Sequence, residues 1–278
     1  MSWQSINARV INNLMAHQAR KRFGQHFLTD TGYINAIVSA IRPHLSDRVI
    51  EIGPGLGAMT SPLLDQLSQL DVVEFDRDLV AFWKKKNLTQ LHIHEADALK
   101  FDFQAWAKQA RQEMAQTNNP GQIKIVGNLP YNISSPLLFH LLTAIDEVDE
   151  QVFMLQLEVV QRMVATPGSS DYSRLSVMLQ AKYHMENRID IPPEAFDPPP
   201  KVDSAVVEMI PRKDIQLTPQ VWQSLEKLVA AAFAQRRKML GNNLKDFKDK
   251  LSLDAQTLKA RAQDIPVETF IEWAKALA

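Results

Sequence analysis

The chain has no cysteine. That excludes disulfides, thiolate zinc sites, iron–sulfur clusters and a cysteine nucleophile. No apolar run approaches the roughly 18 residues needed to span a bilayer. The first residues, MSWQSINARVINNLMAHQARKRFGQHF, lack the compact apolar stretch and small-residue cleavage site of a secretory leader. Cytoplasmic residence, with no membrane partner, is the expectation. No internal repeat is present, and low complexity is confined to the prolines at 192–193 and 198–200. What remains is an ordinary globular composition, 45% hydrophobic and 23% charged over 278 residues. That length suits one large domain with a small companion and supports a core without covalent staples.

The net charge of −1 hides a split. Residues 1–29 carry +4, from Arg9, Arg20, Lys21 and Arg22. Residues 30–211 hold 15 basic and 24 acidic residues, and 212–278 hold 12 basic and 8 acidic. An acidic body with two basic ends fits a polyanion partner; a solvated surface is the better account of the charge alone.

Ile34, Ile37, Val38 and Ile41 recur at helical spacing after Thr31, and Pro43 ends that run. Short apolar strands follow at Arg48–Ile52, Leu70–Glu74, Leu91–Glu95, Ile123–Gly127 and Gln151–Leu155, with helix-like stretches such as Met59–Leu67 and Pro136–Ala144 between them. Alternating strand and helix predicts a parallel sheet covered on both faces. Thr218 before Pro219 signals a helix start, and Val221, Trp222, Leu225, Leu228, Val229, Ala232 and Phe233 form its apolar face. Two more helices are expected at Asp254–Ala262 and Pro266–Leu277. The expected division is a catalytic domain over 1–211 and a small helical domain over 212–278.

Chemistry gathers at strand ends. Gly53-Pro54-Gly55-Leu56-Gly57 follows the first strand, where glycines let a backbone approach a ligand that a Cβ would repel. Glu74 ends the second strand, where a nucleotide-binding α/β fold holds ribose hydroxyls, and Asp97 follows the third, within reach of an adenine amino group. Each acid alone also reads as a turn residue or helix cap. After the fourth strand stands Asn128-Leu129-Pro130-Tyr131. An exocyclic adenine amine is a poor nucleophile because its lone pair is delocalised into the ring. The Asn128 oxygen and the Leu129 carbonyl can each accept one N–H, favouring a pyramidal nitrogen. Tyr131 can stack on the base, and Pro130 stiffens the turn.

Together these motifs resemble the ribosomal RNA adenine N6-dimethyltransferase family of the bacterial small-subunit type. Lys21–Leu28 (K-R-F-G-Q-H-F-L), Glu51–Gly57, Glu74–Arg77, Asp97-Ala98, Gly127–Ser134, Phe196–Ala205 (F-D-P-P-P-K-V-D-S-A) and Arg236–Lys238 follow in family order. The resemblance implies a class I methyltransferase fold: a Rossmann-like α/β domain with a seven-stranded, mostly parallel sheet and a small C-terminal α-helical domain. It implies S-adenosylmethionine as donor and S-adenosylhomocysteine as product, without a metal. Gln25, His26 and Leu28 would close over the donor. Gly53 and Gly55 would face its methionine part, Glu74 its ribose, and Asp97 with Ala98 its adenine. Asn128 would serve cofactor and target amine alike, and Phe196 would pack on the flipped base opposite Tyr131. Arg20, Lys21, Arg22, Lys201, Arg236, Arg237 and Lys238 would contact RNA. The implied substrate is a pair of adjacent adenines in the 3′-terminal hairpin loop of 16S rRNA, within the small subunit or its precursor, and the enzyme is expected to be a monomer. Large-subunit RNA, DNA, or an assembly role in which binding outweighs catalysis are the alternatives.

Three departures stand out. His26 occupies a position where asparagine is common, and Met239 and Gly241 interrupt a usual R-R-K-T-L-R run. Weaker candidates are His92 and His94, which share a strand face without a third ligand nearby in sequence, and Lys84–Lys86, readable as phosphate contacts or as a solvated helix end.

Overall fold

A computed structural model describes residues 26–118, 120–247 and 250–278. Arg20, Lys21, Arg22 and Gln25 lie outside the described residues. The described residues open with a short strand β1 (Phe27–Leu28) and helix α1 (Thr31–Ile41). Asp30 caps α1, its carboxylate accepting from the Gly32 and Tyr33 N–H groups at 2.8 and 3.1 Å. Ile37, Val38 and Ile41 are buried, as their spacing predicts, and Arg42 ends the helix in the left-handed region.

Five strands then alternate with helices: β2 (Arg48–Ile52), α2 (Thr60–Leu64), β3 (Leu70–Glu74), α3 (Arg77–Lys85), β4 (Leu91–Glu95), α4 (Phe103–Gln116), β5 (Ile123–Asn128), α5 (Ser134–Leu141) and β6 (Glu150–Gln156). They pair in parallel in the order β4-β3-β2-β5-β6. After α6 (Leu157–Val164) and α7 (Arg174–Gln180) come β7 (Tyr183–Ile191), β8 (Phe196–Asp197) and β9 (Ser204–Pro211); β9 and β7 extend the sheet beyond β6 to seven strands. The first strand of the alternation is thus central, with later strands added on both sides. The strand order reverses between β2 and β5, and the crevice beyond their carboxyl ends is where such sheets hold ligands.

β1 and β8 form a separate antiparallel ribbon, with Phe27 opposite Asp197 and Leu28 opposite Phe196. The Thr29 and Asp30 N–H groups add bonds to the Ala195 carbonyl. This ribbon joins Phe27-Leu28 to the start of the F-D-P-P-P-K-V stretch.

The expected division at Pro211–Arg212 does not match the packing. The chain forms two compact units, one holding the described residues through 157 with 188–208, the other 158–187 with 209–278. Segment 158–187 joins the C-terminal helices α8 (Pro219–Ala232), α9 (Leu240–Asn243), α10 (Ala255–Lys259) and α11 (Val267–Leu277) through specific contacts. The buried Tyr172 hydroxyl donates to the Ile265 carbonyl at 3.0 Å, and Arg212 bonds the Gln180 carbonyl and Glu268. Phe233 lies against both Tyr172 and Phe270. Thr218 caps α8 with Pro219 in its first turn, as expected. The helix expected over Asp254–Ala262 ends at Lys259 instead. The Ala260 carbonyl turns out to accept the Leu240 N–H, and Met239 bridges Arg261. Gly241 belongs to this packing, since a Cβ there would stand 3.1 Å from the Leu258 carbonyl oxygen.

Candidate active site

The glycine turn leaves β2 at the switch point. Gly53, Gly55 and Gly57 all have φ between +54° and +97°, a region that costs other residues strain. The Gly53 N–H donates to the Val73 carbonyl of β3 at 2.9 Å, and the Trp83 indole N–H donates to the Gly55 carbonyl at 3.0 Å. A Cβ on Gly57 would fall 2.7 Å from the Trp83 ring. The Phe27 ring lies over Gly55, 3.5 Å from where its Cβ would be, and Leu28 is buried beside it in the core.

Two carboxylates face this turn. Glu74 is buried at the end of β3, and its Oε1 accepts from the Phe75 and Asp76 N–H groups, both at 2.8 Å. Burial pushes the Glu74 carboxyl above its usual range, while those backbone donors and that of Gly55 hold it down. The turn-residue alternative is therefore partly true of Glu74. Glu51, inside β2, is almost wholly buried, and its Oε2 has no hydrogen-bond partner. Burial lifts its carboxyl to about 8; the Thr60 hydroxyl opposes the shift, and the Glu74 charge adds to it. Glu51 stands inside the glycine motif, which by itself assigns it no role. An acid amid β2's apolar residues was the available signal.

Asp97 follows β4, with Oδ1 accepting from the Leu99 N–H at 3.0 Å and its carbonyl from Lys100 and Phe101. Ala98 is buried next to it. The pair sits at the carboxyl edge, in line with Glu74.

Asn128 ends β5, half-buried, directly across the switch from the glycine turn; Ile52 of β2 faces Gly127 in register. A Cβ on Gly127 would meet the Ile52 carbonyl at 2.5 Å. Leu129 is buried, and its N–H donates to Met154 of β6. Pro130 and Tyr131 are half-buried. The Tyr131 hydroxyl bonds Ser204 Oγ at 2.7 Å, and Ser134 Oγ donates to the Tyr131 carbonyl at 3.2 Å. His26 lies near the Tyr131 ring at a 6.1 Å centroid distance and 24° between planes. Since the Pro198 carbonyl only accepts, His26 Nδ1 carries the proton in their 2.7 Å bond. Phe196 is in a different setting from Tyr131: at 3% exposure it packs in the core with Leu28 and Ala195, and as folded it offers no open face to a base.

His26, Leu28, Gly53, Gly55, Glu74, Asp97, Ala98, Asn128 to Tyr131, Phe196 and Lys201 all belong to the first unit, and Lys201 is exposed. Arg236, Arg237 and Lys238 belong to the second and are exposed. The Arg236 guanidinium is already engaged by the Ser170 and Tyr172 carbonyls. Lys84 pairs with Glu95, and Lys86 sits 4.6 Å over the Phe82 ring, so two of the three lysines at the end of α3 have neighbours within the fold. His94 Nε2 bonds Asp71 at 2.8 Å and His92 Nδ1 bonds Gln69, and no group of described residues could hold a metal ion.

A switch-point glycine turn, acids at successive strand ends and an N-L-P-Y turn beside them define a class I methyltransferase built to act on an amine. Residues 16–278 match the ribosomal RNA adenine dimethylase family, and the chain belongs to it. It is 54% identical, over 94% of its length and 96% of the relative's, to the "Ribosomal RNA small subunit methyltransferase A" of Bordetella petrii. It is 51% identical over 93% of each chain to the protein of the same name from Cupriavidus metallidurans. Among solved structures, a dimethyladenosine transferase from Plasmodium falciparum superposes with a TM-score of 0.73 at 24% identity, covering 89% of this chain and 96% of that one. The 23S rRNA methyltransferase ErmE does so at 0.65 and 23%, covering 90% and 99%. These two likenesses establish the fold.

Proposed function

We propose that this chain transfers methyl groups from S-adenosylmethionine to N6 of two adjacent adenines in the 3′-terminal hairpin loop of 16S rRNA, in the small subunit or its precursor, giving N6,N6-dimethyladenosines. It acts in the cytoplasm as a monomer and requires no metal. The observation that carries this reading is the N-L-P-Y turn standing across the switch point from the glycine turn.

The residues present fit the donor. At Gly53, with φ +69°, the nearest atom to where a Cβ would stand is the Asn128 carbonyl oxygen at 3.8 Å, which leaves room that a side chain would fill, and Glu51 Oε2, two residues earlier, is buried without a hydrogen-bond partner. Gly53 and Gly55 would hold the methionine part, Glu74 the ribose, and Asp97 with Ala98 the adenine, with His26 and Leu28 closing over it. When bound, the donor would supply an electrophilic methyl on its sulfonium, which the adenine nitrogen would take while the carbon–sulfur pair stays on sulfur and a proton leaves to water. Asn128 Oδ1 and the Leu129 carbonyl accept the two amine hydrogens and turn the lone pair out of the ring. Tyr131 stacks on the base and fixes its distance, an orientation effect. Burial raises the Tyr131 phenol above its ordinary range, so it stays neutral and anchored rather than acting as a base.

The test is transfer of labelled methyl to small subunits lacking the loop modification, beside large subunits, naked RNA and an Asn128→Ala enzyme. Label recovered from small-subunit RNA as N6,N6-dimethyladenosine, and lost in the variant, is the expected result. Firm subunit binding with no label in any RNA would overturn the enzyme reading in favour of an assembly factor.

A further inference from the structure

We propose that Ser204 is a positioning residue that sets the Tyr131 ring for the second methyl transfer and so determines whether the product is mono- or dimethylated. The inference rests on the dimethylation reading above. Ser204 opens β9 and is wholly buried, yet its hydroxyl points at the one polar atom of the Tyr131 ring, 2.7 Å away. The strand around it is anchored, because the Asp203 carbonyl accepts the Leu157 N–H at 2.9 Å. Tyr131 is thereby held at both ends: its carbonyl accepts from Ser134 and its hydroxyl meets Ser204. A ring fixed only at its Cα tilts and turns about its side-chain torsions; a ring fixed also at its hydroxyl does not.

The two transfers ask different things of that ring. An unmethylated N6 has two hydrogens, one each for Asn128 Oδ1 and the Leu129 carbonyl. After the first transfer the nitrogen has one hydrogen, so one of these contacts is lost. The second transfer forms a further nitrogen–carbon bond at the expense of a carbon–sulfur bond on a fresh donor and releases the last proton. With one acceptor contact gone, stacking on Tyr131 carries more of the orientation, and looseness there costs the second step more than the first.

The experiment follows unmodified small subunits with excess donor and quantifies N6-methyl- and N6,N6-dimethyladenosine by mass spectrometry. The enzymes compared are wild type, Ser204→Ala, Tyr131→Phe and the double variant. Either single change removes the same hydrogen bond. Each is expected to raise the mono-to-dimethyl ratio about tenfold, the double variant to add nothing further, and KM for S-adenosylmethionine to stay within about twofold. Tyr131→Phe keeps the test decisive should Ser204→Ala fail to fold. A lower overall rate with an unchanged ratio means that Ser204 is merely structural and overturns the proposal, as does an additive double variant. Absence of dimethyladenosine from the wild-type reaction would instead overturn the dimethylation reading beneath it.

Discussion

The Glu51 carboxyl is protonated at neutral pH in the folded chain, because burial lifts it to about 8, and ionised once the chain unfolds. Its folded value lies above its unfolded one, so the fold binds this proton more tightly. The resulting stability is present at low pH and lost as pH climbs from the ordinary carboxylate range through 8. Glu51→Gln removes that titration. Thermal melts of the two proteins should nearly coincide at pH 4, with the variant melting higher at pH 8.5; equal behaviour at both would mean that Glu51 is charged in the fold. Gly57→Ala acts by geometry. Its φ of +97° and the Trp83 ring 2.7 Å from the new Cβ predict a loss of about 2–3 kcal/mol in urea unfolding. Single residues were legible in the sequence where their chemistry is local: Gly53, Glu74, Asn128 and Tyr131 all stand at the expected strand ends. The state of Glu51, the Ser204 partner of Tyr131 and the ties on Arg236 were not, since each depends on a neighbour far along the chain. The core position of Phe196 was hidden for the same reason, because a motif gives a residue type and not its exposure.

At the scale of elements, one buried cation fastens the sheet edge opposite the site. Lys124 of β5, 2% exposed, donates to the carbonyls of Ile41 and Arg42 at the end of α1, and lies 3.0 Å from Glu150 of β6 and 3.5 Å from Asp47. Removing it leaves the buried Asp47 without a cation and Glu150 with Arg42 alone, so Lys124→Met should cost about 3–5 kcal/mol. Arg42 pairs with Glu150 and Glu208 but its side chain is 57% exposed, and Arg42→Ala should cost about 1 kcal/mol or less. Denaturant midpoints order the two, and a reversed order would place the cluster's strength at its exposed rim. Strands β2, β3 and β4 fall where the sequence predicts, β5 gains one residue at its end and β6 one at each end; β2, β3, β5 and β6 are legible because parallel strands buried on both faces read as continuous apolar segments. The ribbon of β1 and β8 was not legible. Each strand is two residues long, and their pairing joins positions about 170 apart, which no local pattern encodes.

Over the whole molecule, redrawing the units by packing leaves the division of charge unchanged. Segment 158–187 carries three bases and three acids, so adding it to residues 212–278 leaves the second unit at +4. If that charge meets RNA phosphates, binding weakens with salt in proportion to the cations engaged. Arg237 and Lys238 are exposed, and each substitution to alanine should flatten the slope of log affinity against log salt by about 0.7–0.9. Arg236 differs. Its guanidinium already serves the Ser170 and Tyr172 carbonyls, and it orders the loop that carries Tyr172 into the Phe233 and Phe270 cluster. Arg236→Ala should therefore lower the melting temperature, by about 1 kcal/mol of lost hydrogen bonding, and leave the salt slope unchanged. Subunit binding measured between 50 and 300 mM salt separates the two behaviours. A slope flattened equally by all three substitutions would mean that Arg236 leaves its carbonyls for phosphate on binding. Three adjacent basic residues that look equivalent in the sequence would then be equivalent only in the complex, after the fold has given up one of its own ties.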